Sequence, residues 1–253
     1  ILLSTSRTYS MTSLSSLEVS VEQCSTLRAP LGTPVARYVP NFTRITIPGL
    51  GKDGIDEEYS TRPPVSLYGT SKVASEQMAV EYGLAFDFPV WINRCGVIGG
   101  AGQFAHPAQG IFAFWIHAFR ENRPLKYIGF DGLGHQVRDV FHPDDLASLV
   151  ASQLRETRES SRPHLLNLGG GLENSASLRE LTRWCEDRFP NSRTKVEETN
   201  HSPTTRPFDL PWVVMNPSLA GDTWDWKPTC RISDLCEEIA LFAEENPGWL
   251  SQT

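Results

Sequence analysis

No stretch of this 253-residue chain approaches the run of about 20 apolar residues that a bilayer span needs. No C-x-x-C pair occurs among the five cysteines, Cys24, Cys95, Cys185, Cys230 and Cys236. Neither a zinc cage nor a disulfide scaffold is therefore indicated, and a reducing compartment, the cytoplasm by default, is expected. No basic stripe is present either. The formal net charge is −7 and the arginines are scattered, which argues against a nucleic-acid partner and leaves small anionic ligands open. Repeats and low-complexity tracts are absent. There is no initiator methionine and no charged segment ahead of an apolar core, so Ile-Leu-Leu-Ser-Thr-Ser is not read as a signal peptide. It reads as the end of a buried strand, and earlier strands are expected upstream of it. What remains, 40% hydrophobic and 21% charged residues, fits a soluble globular chain with no membrane partner.

What is present alternates between strand and helix. Residues 12–64 are poor in helix signals, and the alternating Leu17-Glu-Val-Ser-Val21 and Arg44-Ile-Thr-Ile47 read as short strands or a hairpin within a surface insertion. Ser66 is placed to cap a helix over about 68–86, with Val73, Met78, Ala79 and Tyr82 as its apolar stripe. Residues 89–94 read as a buried strand, 110–121 as an aromatic-rich helix, 125–130 and 136–141 as extended pieces, and Asp144 as the start of another helix. Residues 164–168 read as a strand closed by three glycines, Ser177 with Glu180 as a capping box, and 232–245 as a last helix with Leu235, Ile239 and Phe242 inward. That alternation predicts an α/β fold.

The chemistry lies in Tyr68-Gly-Thr-Ser-Lys72. Positions i and i+4 share a helix face, so an ammonium stands beside a phenol and lowers a phenol pKa that starts near ~10. Such a base can take a proton from a sugar or alcohol hydroxyl near neutral pH. The spacing is common by itself, and its neighbours give it weight. They are Ser4-Thr-Ser-Arg-Thr-Tyr9 at a strand end, Arg94-Cys-Gly-Val-Ile-Gly-Gly100, Gln103-Phe, Gln109-Gly, and the run from Gly134 through Val137-Arg-Asp to Leu146. Asn167-Leu-Gly-Gly170, Arg206 to Asp209 and Trp226-Lys-Pro228 follow.

In that order the motifs resemble the extended short-chain dehydrogenase/reductase family, the NAD-dependent epimerases and dehydratases of nucleotide sugars. The resemblance covers nearly the whole chain apart from the insertion. From Tyr68 through Val137-Arg-Asp it is most similar to the CDP-paratose/CDP-tyvelose 2-epimerase branch. It implies the C-terminal part of a Rossmann-like doubly wound parallel sheet plus a smaller α/β substrate-binding region. Residues 1–100 and parts of 130–170 would form the core, with the insertion at about 12–64; about 101–130 and 171–253 would bind substrate. By the same resemblance Thr5, Tyr68 and Lys72 are catalytic, and Cys95 and Val97 lie beside the nicotinamide of NAD together with Tyr68 and Lys72. Arg138 and Arg206 would hold the diphosphate of a nucleotide-diphosphate sugar, Asp209 a ribose hydroxyl, and Gln103 and Gln109 would face the sugar. Dimerisation is common in that family, so a homodimer is among the expectations.

The family's 4,6-dehydratases carry an Asp-Glu pair directly after the Ser/Thr, whereas this chain has Ser6-Arg7, which cannot serve as acid and base. Epimerisation, at C2 of a CDP-deoxyhexose as the specific expectation, is therefore favoured over dehydration. The alternatives are another epimerase, reductase or dehydratase of the family, or a non-catalytic fragment that only binds a nucleotide sugar. Gly49-Leu-Gly-Lys-Asp-Gly54 fits G-x-G-x-x-G without a helix signal behind it, and Gly100-Ala-Gly-Gln-Phe-Ala105 follows the Tyr68 helix. Both read as turns, and the dinucleotide fingerprint is expected upstream. His135 and His142 flank Arg138 without a third ligand, so no metal is expected. Phe112, Phe114, Trp115 and Phe119 crowd one helix and read as core or as an oligomer face.

Overall fold

A computed structural model describes residues 1–24, 34–106, 109–156, 161–198 and 209–251. Strand β1 (Leu2–Thr5) runs through a 3-10 turn (Ser6–Thr8) into helix α1 (Met11–Ser15). Next come β2 (Val19–Cys24), β3 (Val35–Pro40), β4 (Leu50–Gly51), β5 (Gly54–Ile55) and the long helix α2 (Leu67–Phe86). The middle of the chain supplies β6 (Ile92–Cys95), β7 (Val97–Ile98), α3 (Ile111–Arg120), β8 (Leu125–Lys126), β9 (Val137–Phe141), α4 (Pro143–Arg155) and β10 (Leu165–Leu168). It closes with β11 (Ser175–Ser177), α5 (Leu178–Arg188), β12 (Val196–Glu197), β13 (Trp212–Val213), α6 (Ser218–Trp224), α7 (Ile232–Glu245) and a 3-10 turn (Trp249–Ser251).

The expected α/β architecture is present. Strands β1, β6 and β10 form a parallel sheet with β6 in the middle, in a register that puts Ser4, Arg94 and Asn167 in one row across it. One face is apolar: Phe141, Leu146, Leu149, Leu166, Leu168 and Trp224 pack there with α4 and α6. A reciprocal amide pair, Asn93 with Gln153 at 2.8 and 2.9 Å, satisfies two of the polar groups buried in that layer. A second sheet, ordered β11–β9–β13 with β7 also on β9, continues from the first because β6 and β7 are separated only by Gly96.

The other face of the parallel sheet is polar, and α2 covers it. Glu76 of α2 accepts from Arg94 Nε at 3.0 Å and Nη2 at 2.6 Å, and also from the Ser4 hydroxyl. Tyr9 closes the row by donating to Asn167 Oδ1 at 2.7 Å, and burial pushes its phenol up to about 12 against the opposing pull of Arg94. The expected apolar stripe on α2 does not form: Met78 and Tyr82 are 59% and 55% exposed. What α2 buries is Gly69, Glu76 and Gly83, one residue every second turn. A side chain at Gly69 would fall 2.1 Å from the Arg7 carbonyl oxygen, and one at Gly83 would fall 2.6 Å from Val90 Cγ2. The helix therefore docks by backbone approach and one ion pair rather than by an apolar face.

Residues 12–64 also differ from the expectation of a surface insertion. Leu14, Leu17, Leu50, Ile55 and Tyr59 join Tyr9, Val137, Trp212, Val214 and Met215 in a buried cluster. The hairpin pairs Val19 with Pro40 through Cys24 with Val35, and Arg44-Ile-Thr-Ile47 is not a strand. From β3, Arg37 reaches Glu180 at 3.4 Å and Ser175 Oγ at 2.8 Å, tying the hairpin to α5 and β11. The extended piece at 125–130 shortens to β8, since Phe130 turns into a 3-10 segment with φ 42°. The caps hold as expected: Ser66 Oγ accepts from Gly69 N, and Ser177 and Glu180 form both halves of a capping box.

Replacing Glu76 with alanine would leave a buried guanidinium without its carboxylate. Breaking such a pair costs about 3–5 kcal/mol. Urea denaturation of Glu76→Ala is expected to show a loss of that order, and a loss under about 1 kcal/mol would mean that α2 is held by something else.

Candidate functional site

The ends of β1 and β6 and the start of α2 meet. Ser66 Oγ satisfies one of the open amides of the helix start, Gly69 N, at 2.9 Å. Tyr68 sits in that first turn, 54% exposed, and Lys72 Nζ lies 5.8 Å from the centre of its ring. Thr5 ends β1 opposite Cys95 of β6. Its Oγ1 accepts from Arg7 N at 3.2 Å, and its carbonyl accepts from Thr8 Oγ1 at 2.9 Å, so the strand end is fixed in place. Because the Arg7 carbonyl seats Gly69, the turn after Thr5 lies directly against the residue that follows Tyr68. Cys95 is buried, and burial pushes its thiol up to about 12, with Lys72 near enough to pull weakly the other way. That thiol is a packing group. Val97 is half-buried, one glycine further on.

A second group gathers around β9. The half-buried Arg138 donates to the carbonyls of Val137 at 2.7 Å and Leu210 at 2.9 Å. Burial, and after it the charge of Arg7, lower its pKa to about 10, while Asp209 and Asp139 act in the opposite direction. Asp209 accepts from Leu210 N at 3.0 Å and packs on the turn at Gly129, where a side chain would fall 1.7 Å from its Oδ2. Arg206 lies outside the described residues. The structure thus brings Arg138 and Asp209 into one neighbourhood, with Arg7 linking it to the first group. His135 is buried with its ring edge-on to Tyr38, and His142 caps α4.

The glycine loop after β7 is held from α7 and the final turn, which sequence reasoning did not foresee. Ala101 N donates to Glu238 Oε1 at 3.0 Å, and the other oxygen of Glu238 is 3.0 Å from His142 Nε2. His142 Nδ1 accepts from Asp144 N, so its proton sits on Nε2 and points at Glu238. Trp249 stacks on Phe104, meets Phe242 edge-on and donates to the Gln103 carbonyl at 3.1 Å. Within the loop, Gln103 Nε2 donates to the Ile98 carbonyl at 2.9 Å, and Gln109 is exposed and paired through backbone with His106. The Gln103 side chain is thus engaged with its own loop. Glu238 gave no signal in the sequence, since it reads as one more charge on an amphipathic helix.

Asp139 is a further residue that the motif reading passed over. It is 1% exposed, its Oδ2 accepts from Gly170 N at 2.8 Å, and Gly96 and Gly169 crowd it so closely that a side chain at Gly169 would fall 2.3 Å from that oxygen. In the sequence Asp139 stands beside Arg138 in the short strand Val137–Phe141, and nothing local separates it from an ordinary exposed strand carboxylate. Burial raises its pKa to about 7 despite the amides of Met215, Gly170 and Gly171, which favour the charged form.

Comparison with known proteins bears on this arrangement. Residues 46–169 match the model of the NAD dependent epimerase/dehydratase family. CDP-paratose 2-epimerase of Salmonella typhi is 35% identical over 124 residues, which are 48% of this chain and 36% of that protein. UDP-glucose 4-epimerase of Azospirillum brasilense is 30% identical over 175 residues, 65% of this chain and 48% of that protein. The chain therefore spans between about a third and a half of the length of these curated relatives. The solved UDP-glucose 4-epimerase of Thermus thermophilus, a complex with NAD, aligns with a TM-score of 0.62 at 21% identity, covering 76% of this chain and 58% of that one. At that identity the likeness is one of fold, and it agrees with the Rossmann-like reading of the parallel sheet.

Asp139 gives the site a pH signature. Its folded pKa of about 7 lies above the ordinary carboxylate value of about 4, so the folded state keeps a proton that the unfolded chain has released. The stability this represents is present below about pH 4 and is lost as pH rises through about 7. Asp139→Asn stays neutral throughout, so the difference in unfolding free energy between it and the unaltered chain should drift in its favour from pH 4 to 7. Parallel stability curves over that window would refute the assignment.

Proposed function

We propose, on the match of residues 46–169 to the model of the NAD dependent epimerase/dehydratase family, that this chain is a member of that family, acts on a nucleotide-diphosphate sugar and inverts a carbinol centre. The specific reaction we infer is 2-epimerisation of a CDP-deoxyhexose. The observation that carries the reading is the capped start of α2. It sets Tyr68 and Lys72 one turn apart beside the fixed strand end at Thr5.

The chemistry of the donor set fits the nicotinamide end of NAD. The Tyr68 phenol, the Lys72 ammonium and the backbone at Cys95 and Val97 lie at the ends of adjacent parallel strands and the helix start between them. NAD, when bound, supplies a reversible acceptor for the hydride of the carbinol carbon. Tyr68 takes the hydroxyl proton and returns it, with the Lys72 ammonium one turn away on the same helix face. The Thr5 hydroxyl, already accepting from Arg7 N, is left with its own proton to donate to the reacting oxygen. Arg138 and Arg206 are the groups for the diphosphate and Asp209 for a ribose hydroxyl. Dehydration is disfavoured because Ser6 and Arg7 offer no carboxylate beside Thr5.

One observation favours a second reading. Among the described residues no glycine turn opens a helix directly behind a parallel strand. Gly49 to Gly54 belongs to the β4–β5 hairpin, and Gly100 precedes α3 by a long loop. The pyrophosphate of NAD then has no cradle of the usual kind in this part of the protein. On that reading the chain binds a nucleotide sugar without turning it over.

Incubation with CDP-paratose and NAD should give the C2 epimer with no solvent deuterium at that carbon; deuterium uptake would point to deprotonation chemistry instead. Tyr68→Phe is expected to lower turnover by about 10²–10⁴-fold while substrate affinity changes little. Retained turnover in Tyr68→Phe would remove Tyr68 from its role, and binding without any product in the unaltered chain would select the second reading.

A further inference from the structure

Arg7 occupies an unusual place for a cation. It lies two residues past Thr5, and its N–H to Thr5 Oγ1 and its carbonyl against Gly69 fix its backbone between two proposed catalytic residues, Thr5 and Tyr68. Its side chain is exposed, and among the described residues it makes no ion pair and no side-chain hydrogen bond. Arg37, Arg94 and Arg188, in contrast, each meet a carboxylate. The neighbouring cation is Arg138, whose guanidinium uses Nη1 and Nη2 on the neutral carbonyls of Val137 and Leu210.

We propose that Arg7 is a binding residue for an anionic group of the nucleotide sugar, acting together with Arg138. Burial is the first cause of the lowered pKa of Arg138, and the like charge of Arg7 adds to it. Asp209 and Asp139 offset part of it. An anion received by both arginines would relieve the rest, because guanidinium forks match the oxygens of phosphates and carboxylates and stay charged at any working pH. The inference rests on the nucleotide-sugar reading and goes beyond it, since it adds a contact on the Thr5 side of the site. The oxygens have two sources of the same chemistry: the diphosphate, or a carboxylate carried by the sugar. In the second case Arg7 selects uronate-type substrates over neutral ones.

The test is calorimetric titration of the full chain with inorganic pyrophosphate, CDP, UDP-glucose and UDP-glucuronate, for the unaltered protein, Arg7→Gln and Arg7→Lys, with thermal melting as the folding control. If the diphosphate is the partner, Arg7→Gln binds pyrophosphate and CDP about tenfold more weakly, and Arg7→Lys recovers part of the loss. If the sugar carboxylate is the partner, CDP and UDP-glucose are unaffected and UDP-glucuronate alone loses about tenfold. Equal affinities of Arg7→Gln and the unaltered chain for every ligand that binds would overturn the inference and leave the nucleotide-sugar reading standing. Failure of the unaltered chain to bind any of the four would overturn both.

Discussion

The buried pair between Glu76 and Arg94 is the constraint on which the rest is arranged. Two charges removed from water are tolerable only when their hydrogen bonds are complete, and here Ser4 supplies a further donor to the carboxylate. Because Arg94 stands in the central strand and Glu76 in the middle of α2, the pair fixes the rotation of the helix about its own axis as well as its position. Tyr68 and Lys72, on the turns before Glu76, inherit that orientation. The two glycines seven residues to either side let the helix backbone come close enough for the short bonds to form. A helix docked by an apolar stripe would tolerate sliding and rotation by small amounts; one docked by a two-bonded ion pair between glycines does not.

The site divides into a rigid part and a conditional part. The ends of β1 and β6 and the start of α2 are tied by backbone registers, a cap and a close contact, all from one stretch of the fold. The Arg138 neighbourhood draws on β9, on the turn at Gly129 and on the segment leading into Leu210. Its charge balance depends on Arg7, Asp139 and Asp209 together, so a change at any of them alters the field felt at the others.

The fold was legible where local signals carry it. Alternating elements gave the α/β class, Ser66 and the Ser177–Glu180 box gave two helix starts, and 232–245 was placed at its observed bounds. The misreadings have a common physical origin. Met78 and Tyr82 looked like an inward face because periodicity assumes apolar docking, whereas α2 docks through glycine and charge. Residues 12–64 looked peripheral because Leu14, Ile55 and Tyr59 are too widely spaced to show a period, yet they converge in space. In the site, the spacing put Tyr68 and Lys72 on one helix face, and Thr5 was added to them by the family resemblance. The roles of Asp139 and Glu238 required knowing which loops lie over them, and that is long-range information.

The hold of Trp249 and Glu238 on the glycine loop has a consequence for how this protein can vary. Phe104, Ala101 and His142 are far along the chain from the tryptophan and the glutamate that clamp them, yet they behave as one mechanical unit. Drift at either end is therefore coupled: a smaller ring at 104 invites a compensating change at 249, and a lost carboxylate at 238 invites a different residue at 142. Among homologues these positions should covary as a group, and a chimera that exchanges the closing helix without the glycine loop would inherit a clamp cut for another shape.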